Sequence, residues 1–574
     1  MQKDTTPAGG FFASTDLDKA RRYYEFAVNH PAYTAWHADA RQAWAFYDGD
    51  HWTAEEISKL QEYGQPPIVI NKLASKVDNL AGSEVAGRTR ILYRSRSGQP
   101  QEEETARALS DLALYIAERN DQPLELSQVF RAGLVTGIGW LDIGVEADPE
   151  NAEQAPHIFN RCEDELRVVW DPLTMRQDFS DARFVCRERW LDRDDLQQLF
   201  PEKASAAAQL LNQPQLNTHT YGQGPGIAYS NTAGDKLRVV EVQYKKSEKQ
   251  YTLQHPDGRL TRTFDAKYAK AQGVPVTSAF VPRVYVVYFT DNLLLSQQPL
   301  PYQHGGFSLV PYVFKRSRTD GRPYGIVKSA IDPQKELNKR RSKAMHLLNT
   351  AQVIADIDAV EDPYKLAREA ARPDGMILKR PGKELKIVRN SDLAQSQVAV
   401  MDQAARDIQE VMGVFDETIG KQSNATSGLA IQQRQMAGTL NQMFAFDALR
   451  RTKRMLGSQL LALMRQYFTA EMVIRITDDM EAPRQLHLNR QHSEDEVSVE
   501  NDITIGTFDV YVEEVRDVLS SQELEIQQLN MLLNAGVPIP PHVLVEATSL
   551  RNKDALLAAL QPPEAQINQT QETK

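Results

Sequence analysis

The chain has 574 residues, a formal net charge of −11, a hydrophobic content of 41% and two cysteines. This length exceeds the roughly 250–300 residues at which a single core stops growing, so it predicts several packed substructures, and the average hydrophobic and charged contents exclude a largely disordered chain. The composition also excludes a disulfide framework and a thiolate metal cluster, and the acidic balance predicts that any DNA contact is local or transient.

The sequence has no apolar run of about 18 residues, so it predicts no membrane-spanning helix. The N-terminal residues MQKDTTPAGG lack the apolar stretch of a signal peptide. We therefore expect a protein that is made and kept inside a cell.

The N-terminal part predicts mainly helices. Residues 15–65 predict helices whose recurring aromatic side chains anchor a core or an interface. Pro66–Asn71 predicts a short extended segment, and Lys72–Gly87 predicts an amphipathic helix. A strand over Ile91–Tyr93 then precedes one long helix from about Glu103 to Gly133.

The following part predicts a sheet. Gly139–Ile143 alternates as a strand does, and β-branched runs recur from Ile158 to Tyr288. The polar segment Gln213–Asp235 predicts a long loop within this region.

The central third combines helices with a small module. Asp332 and Pro333 favour a helix start, and the helix is predicted to run from Pro333 to about Ala351. Residues 363–388 predict a short helix and two strands, Gly375–Leu378 and Leu385–Val388, joined by a Pro-Gly turn.

An apolar seam with spacings of three and four follows this module and predicts a second packed helix. The seam consists of Val398, Met401, Ala405, Ile408 and Met412. Glu417–Gly428 is polar and predicts a loop, whereas Leu429–Phe468 contains no proline and predicts one very long helix with bends at Gly438 and Gly457. At about 1.5 Å per residue, some 40 residues would span roughly 60 Å, which indicates a large assembly.

The C-terminal part predicts strands over Met472–Ile476 and Phe508–Val512 on either side of an acidic loop. Helices are predicted over Ser521–Asn534 and Pro541–Leu560, and residues 561–574 are predicted to be disordered.

The sequence predicts no catalytic residue, metal site or cofactor. It contains no Gly-x-x-x-x-Gly-Lys-Ser/Thr phosphate-binding loop. The acidic residues around His487 and His492 within 478–502 favour solvated surface over a cation site. Paired carboxylates elsewhere have no adjacent base or nucleophile.

Two basic clusters stand out against the acidic chain, and two interpretations of them are open. They are ordinary salt-bridged helix faces, or they steer a nucleic-acid backbone. The clusters are Lys335, Lys339, Arg340, Arg341 and Lys343 on the first central helix, and Arg450, Arg451, Lys453 and Arg454 on the very long one.

The order of helix, small module, heptad helix, polar loop and very long helix resembles the stem, clip, stem, tunnel loop and kinked helix of tailed-bacteriophage portal proteins. Several strings are similar to the branch found in short-tailed phages, and together they cover about residues 20–560. These strings are PPIVINK at 66–72, NLAG at 79–82, WDP at 170–172, DFSDA at 178–182, PYG at 323–325, DPQ at 332–334 with Asn338, and SGLAI at 427–431.

The resemblance implies an α+β portal-type fold with a wing, a helical stem, a small α/β clip and a helical crown, assembled as a ring around a central channel. The implied parts are the wing 1–323 with the strands of 472–512, the stem 324–351 and 396–416, the clip 352–395, the tunnel loop 417–428, the long kinked wing helix 429–470 and the crown 513–560. A long C-terminal helical barrel, present in some members of this branch, is not expected.

The resemblance also implies the function: a non-enzymatic ring at the capsid vertex, a dodecamer, through which double-stranded DNA is packaged and ejected. The implied partners are the terminase large subunit, a head-completion or tail adaptor protein, the major capsid protein and a scaffolding protein, with no membrane. The implied location is the virion, with assembly in the host cytoplasm. The alternatives are a nuclease or terminase-like packaging enzyme, and a plain capsid or scaffold protein.

Within this scheme the polar loop is predicted to project into the channel and touch passing DNA. Its contact residues are Lys421, Gln422, Ser423, Asn424 and Thr426. One lysine per subunit would give a weak positive band, and the polar side chains would offer exchangeable hydrogen bonds. Basic residues predicted to face the channel or a neighbouring subunit are Lys339, Arg340, Arg341, Lys343, Arg450 and Arg451.

Overall fold

The computed structural model describes most of the chain. The described residues are 16–147, 156–211, 229–231, 236–255, 260–357, 359–372, 375–388, 391–414, 428–469, 472–476, 484–491, 499–500, 503, 508–514, 529 and 540. The chain divides into two compact units, each built from separate stretches of sequence. Unit 1 comprises Met1–Ala81, Ile116–Ala470 and Ile503–Ile505, and unit 2 comprises Gly82–Tyr115, Glu471–Asp502 and Gly506–Lys574.

The fold is a mixture of helices and strands, as the α+β prediction requires. The helices of the described residues are α1 Asp16–Asn29, α2 Pro31–Asp48, α3 Ala54–Glu62, α4 Leu73–Ala86, α5 Pro100–Arg119, α6 Gln122–Thr136, α7 Arg193–Leu199, α8 Ala204–Leu211, α9 Ala266–Ala271, α10 Ile331–Asn349, α11 Pro363–Ala371, α12 Ser391–Met412 and α13 Gly428–Tyr467.

The strands of the same residues are β1 Thr89–Ser95, β2 Ile138–Glu146, β3 His157–Glu163, β4 Val168–Trp170, β5 Phe184–Leu191, β6 Ser230–Asn231, β7 Lys236–Gln254, β8 Leu260–Thr263, β9 Val276–Thr290, β10 Leu293–Pro299, β11 Leu309–Val313, β12 Lys315–Arg316, β13 Pro323–Tyr324, β14 Gln352–Ala355, β15 Leu385–Val388, β16 Met472–Ile476, β17 Arg484–Leu488, β18 Arg490–Gln491, β19 Val499–Glu500 and β20 Phe508–Glu514.

Among its described residues, unit 1 contains two larger antiparallel sheets and the two-stranded pairs β12-β13 and β14-β15. The larger has the order β10-β9-β7-β5-β4, with β6 and β8 also paired to β7, and the smaller has the order β11-β2-β3. Aromatic side chains of α1 and α2 pack against them, and the Trp36 and Trp170 rings meet edge to face at 4.5 Å. Burial of these large side chains is the main stabilising term of this core.

A buried ion cluster joins the two sheets of unit 1. The Arg187 guanidinium on β5 contacts Asp142 on β2 at 2.5 Å, Glu163 on β3 at 2.6 Å and Glu241 on β7 at 2.6 Å. Arg189 also reaches Glu163 at 3.0 Å, but its side chain is 47% exposed. Since Asp142, Arg187 and Glu241 are each at most 5% exposed, removal of the arginine would leave buried carboxylates without their counter-ion.

A second buried acid forms no ion pair with the part of the chain that the structure describes. Glu165, 5% exposed, accepts a hydrogen bond from the Trp44 indole at 2.5 Å. Burial raises the pKa of Glu165 to about 7, because the charged form loses hydration that the Trp44 indole and a backbone N–H replace only in part.

Unit 2 contains short antiparallel pairs. β1 pairs with β20 from Thr89↔Glu514 to Ser95↔Phe508, β16 pairs with β17, and β18 pairs with β19. The predicted strands at 91–93, 472–476 and 508–512 are confirmed. The segment between the last two is not simply an acidic loop, since β17, β18 and β19 lie within it.

The predicted helix over 103–133 is wrong as a single element. The structure has two helices, α5 and α6, which are separated at Asn120 and Asp121. Asp121 has a φ of 48°, a left-handed conformation that interrupts the helical hydrogen bonds, and Pro123 stands in the first turn of α6.

The first central helix also begins differently from the prediction. α10 starts at Ile331, directly after a 3₁₀ turn, so Asp332 lies in its first turn and does not cap it. In the small module, Leu385–Val388 is a strand, but its partner is Gln352–Ala355, whereas 375–378 has no regular structure. The tight pairing with 352–355 is long-range, and local sequence pattern does not reveal it.

Several predictions lie outside the described residues. They are most of the loop 213–235, the polar loop 417–427, nearly all of the helix 521–534, the helix 541–560 and the tail 561–574. Within the first of these, Ser230 and Asn231 form β6 and pair with β7.

Candidate functional site

The central helices α10 and α12 precede and follow the small module in the sequence, and they pack against each other. The Arg340 guanidinium on α10 donates to Gln397 on α12 at 3.2 Å. On the predicted seam, Ile408 and Met412 are buried, together with Ala394 and Ala404, which the seam did not include. Val398, Met401 and Ala405 are only half-buried in the single chain, so part of the seam remains available for another surface.

The extended segment before α4 docks on one face of α10. The backbone N–H groups of residues 68, 70 and 72 donate to three side chains spaced four residues apart on the helix. The three acceptors are Ser342 at 3.2 Å, Asn338 at 3.0 Å and Gln334 at 3.1 Å. Two residues of an extended chain rise about 6.6 Å and four residues of a helix rise about 6 Å, so the two repeats stay in register.

The α10 side of this junction is buried, and Gln334 both accepts and donates across it. Gln334, Asn338 and Ser342 are all fully buried, and the Gln334 amide also donates to the Ile70 carbonyl at 2.7 Å. Each side-chain group therefore replaces the water that a free backbone group would bind. The strings PPIVINK and DPQ with Asn338, which carried the resemblance, meet at this junction.

His51 completes the junction. Its Nε2–H donates to the Phe46 carbonyl at 2.8 Å, and its Nδ1 accepts from the Asn338 amide at 2.7 Å. Burial lowers the pKa of His51, so the neutral ring is favoured. Nothing in the sequence singled out His51. The polar stripe of Gln334, Asn338 and Ser342 on one helix face is the signal that would have found the junction.

Asn71 fixes the end of the extended segment. Its Oδ1 accepts from the N–H groups of Leu73 and Ala74 and so caps α4. Its Nδ2 donates to the carbonyls of Tyr47 at 2.8 Å and Phe46 at 3.2 Å, at the C-terminal end of α2. One side chain thus satisfies the free ends of two helices.

Helix α13 runs for 40 residues, and the chain stays helical at Gly438 and Gly457. Its second half lies along the segment 301–312, to which it is joined at intervals of seven residues. Tyr312 donates to the Ala445 carbonyl, Thr452 to Pro311, Gln459 to Phe307 and Gln466 to Pro301. The prediction of one very long helix is confirmed over this span.

The predicted basic residues divide into several environments. Lys339 faces Glu56 at 3.7 Å, Arg340 pairs with Glu336 at 3.0 Å, and Arg451 pairs with Asp447 at 3.6 Å. Arg341 is half-buried, and Lys343, Arg450 and Arg454 are exposed. Two further members of the clusters are held within the chain: Lys335 lies over the Phe46 ring, and Lys453 is 3% exposed.

Lys339 therefore contacts Glu56 of α3 and Arg340 contacts Gln397 of α12, whereas Lys453 is buried within the chain. Intrachain ion pairs explain part of both clusters, as the ordinary helix-face interpretation expects. Lys421, Gln422, Ser423, Asn424 and Thr426 of the predicted tunnel loop lie outside the described residues.

The small module 352–388 differs from the rest of unit 1 in its surface. Its β14–β15 pair is a two-stranded sheet, which is marginally stable alone. Large apolar side chains on it and its flanks are exposed by 37–98%. They are Leu348, Ile354, Ile357, Tyr364, Met376, Leu378, Ile387 and Leu393.

In the described residues, no helix has the length and apolarity that a membrane crossing needs. Across those same stretches, no group of three His, Cys, Asp or Glu side chains is placed to hold a metal ion.

Comparison with known proteins identifies the class. The model of the phage P22-like portal protein family matches residues 21–574. The portal protein of Helicobacter pylori bacteriophage KHP30 is 21% identical over 526 residues, covering 89% of this chain and 76% of that protein. The chain belongs to the phage P22-like portal protein family, a family of structural head-tail connector proteins, and the resemblance seen in the sequence is confirmed.

Proposed function

We propose that the chain assembles into a closed ring, a dodecamer, at the capsid vertex and forms the channel through which double-stranded DNA enters and leaves the phage head. Family membership supports the portal role. The observation that carries the assembly step is the exposed apolar surface of the module 352–388, together with its flanking residues 348 and 393.

An apolar surface of this kind favours burial against another molecule. A second copy of the chain is the occupant we infer, since repeated head-to-tail contacts of one kind close into a ring. The half-buried seam residues Val398, Met401 and Ala405 add apolar surface on the adjoining helix α12. The module and the two helices would then form the clip and the stem.

Within the ring, we assign the predicted parts as the resemblance implies: wing 1–323 with the strands of 472–512, tunnel loop 417–428, long helix 429–470 and crown 513–560. Lys421 and its polar neighbours would touch passing DNA. Lys343, Arg341 and Arg450 would act as weak channel or inter-subunit contacts, since a conduit must let phosphates slide.

The proposed partners follow from the position that we propose for the chain, at the vertex of the phage capsid. The clip would meet the terminase large subunit during packaging and a head-completion or tail adaptor protein afterwards. The wing would meet the major capsid and scaffolding proteins, and assembly would take place in the host cytoplasm.

The ring is tested by native mass spectrometry and class-averaged electron micrographs of the full chain at micromolar concentration. Ile357→Asp with Leu378→Asp should reduce the ring to smaller species, because two charges would enter the apolar contact. Leu199→Asp, at a side chain 54% exposed on α7, is the control and should leave the ring intact. Monomers alone from the wild-type chain, or rings unaffected by the double variant, would contradict this assignment.

A further inference from the structure

Strands β7 and β9 extend well beyond the sheet to which they belong. β5 pairs with β7 only from Leu237 to Tyr244, and β10 pairs with β9 only from Tyr285 to Thr290. Beyond these positions β7 and β9 pair with each other, β7 also pairs with β8, and α9 packs beside β7 and β8. We call residues 245–255 and 260–284 the basic arm.

The basic arm has a charge opposite to that of the chain. It carries seven Lys or Arg residues against two Asp or Glu residues, a net charge of +5 in a chain of −11. Most of its side chains are exposed or half-buried, with Leu253, Ala269 and Val284 as the buried ones. The arm is therefore a local positive surface on an acidic protein.

Both acidic residues of the arm are already engaged within it. Glu248 contacts the Arg283 guanidinium at 3.2 Å and accepts from the Tyr285 hydroxyl at 2.6 Å. The Asp265 carboxylate caps α9 by accepting the N–H groups of Lys267 and Tyr268. Glu248 also lies 3.9 Å from the Lys246 ammonium, so the cations of the arm that these acids engage are Arg283 and Lys246.

Four cations of the arm are exposed and have no carboxylate within ion-pair distance in the described part of the chain: Lys249, Arg262, Lys267 and Lys270. Lys249 lies 5.5 Å from the centre of the Tyr251 ring, a contact that positions the ammonium group without cancelling its charge.

At the base of the arm, Lys19 of α1 adds one further positive charge beside Lys246. Lys19 of α1 lies 4.5 Å from the centre of the Tyr244 ring, and Lys246 lies 5.1 Å from that of Tyr285. Burial lowers the pKa of Lys19, Asp16 opposes this shift, and the charges of Lys246 and Arg22 add to it. The cations here are close enough to repel one another.

We propose that the basic arm binds the phosphate backbone of duplex DNA in a weak, sequence-independent contact made by none of the residues predicted to face the channel. The inference rests on the proposed function, because duplex DNA is the polyanion that a portal meets. A contact made by exposed lysines and arginines suits a backbone that must remain able to move.

An acidic face of a second copy is the alternative occupant, and the composition of the arm disfavours it. Permanent subunit interfaces are apolar. The arm exposes only three large apolar side chains among its described residues, Tyr268, Val276 and Phe280, whereas the module 352–388 and its flanks expose eight.

The test measures binding of a 30-base-pair duplex of arbitrary sequence to the assembled full-length protein by fluorescence anisotropy, over a range of salt concentrations. Lys267→Gln with Lys270→Gln should weaken binding about tenfold or more near 50 mM salt and reduce the slope of log K against log salt by about 2. Lys203→Gln with Lys236→Gln removes the same charge from exposed sites outside the arm and should change affinity less than about twofold.

Several outcomes would overturn the proposal. An equal loss in the control pair would show a response to total charge alone. Unchanged binding in the arm variant would remove the arm as the contact. Loss of the ring in the arm variant, seen by native mass spectrometry, would assign the arm to a neighbouring subunit.

Failure of the proposed function is recognised separately. A wild-type chain that forms no ring but binds duplex through the arm would retain this inference and refute the ring. A second variant, Arg262→Gln, lies on β8 and not on α9, so it guards against a local folding defect in α9; it should reduce the slope by about 1.

Discussion

Asn338 offers the sharpest test of the junction between the extended segment and α10. It is fully buried, accepts the Ile70 N–H at 3.0 Å and donates to His51 Nδ1 at 2.7 Å. Asn338→Leu keeps the volume but leaves these two groups without their partner. Each buried unsatisfied group costs about 1–3 kcal/mol, so unfolding of the full chain in urea should show a loss of about 2–6 kcal/mol.

The control is Asn349→Leu, at an exposed position near the end of the same helix, which should change stability by less than about 0.5 kcal/mol. Tryptophan fluorescence follows the transition, and native mass spectrometry confirms the same assembly state in each sample. A loss in Asn338→Leu no larger than in the control would refute the hydrogen-bonded junction.

The pH dependence gives a second measurement of the same contact. The pKa of His51 is lowered in the folded protein, mainly by burial, so its contribution to stability decreases as the pH falls below its ordinary value of 6.5. In Asn338→Asp, a carboxylate would face the ring and favour its charged form, so the pKa would rise. The variant should then lose stability as the pH rises above 6.5 and recover it towards pH 5–6, which reverses the wild-type slope. Parallel profiles would contradict the contact.

Three further variants test the core. Glu165→Gln should stabilise the chain by up to about 3 kcal/mol at pH 8 and have no effect at pH 4.5, as measured by thermal melts at both pH values. The reason is that folding raises the pKa of Glu165 from 4.5 to about 7, so the stability of the wild-type chain declines across this window. In urea unfolding, Gly137→Ala should cost well over about 1 kcal/mol, because the φ of Gly137 is 95° and a Cβ would lie 2.2 Å from the Tyr324 backbone nitrogen. Gly273→Ala should cost about 1 kcal/mol, because its φ is 64° but its Cβ would enter open space. Arg187→Leu should cost about 3–5 kcal/mol by calorimetry and the half-exposed Arg189→Leu less than about 1 kcal/mol.

The sequence predicted best where the signal is local. Residues 16–62 form three helices, 73–86 a fourth and 428–467 one long helix, because apolar spacing and the absence of proline act within a few turns. The α+β class and the portal family followed from the order of these elements together with short strings.

The tertiary structure decided the contacts between distant residues. The strand 352–355 pairs with 385–388, the left-handed Asp121 divides α5 from α6, and His51 meets Asn338 across 287 positions of sequence. None of these three features produces a periodic pattern in the sequence, since each depends on which groups need a hydrogen-bond partner once the chain has folded. The sequence by itself determined most of the elements and the family. Only the fold decided that a polar stripe on α10 would bind the extended segment, because the spacing of its acceptors matches the rise of that segment.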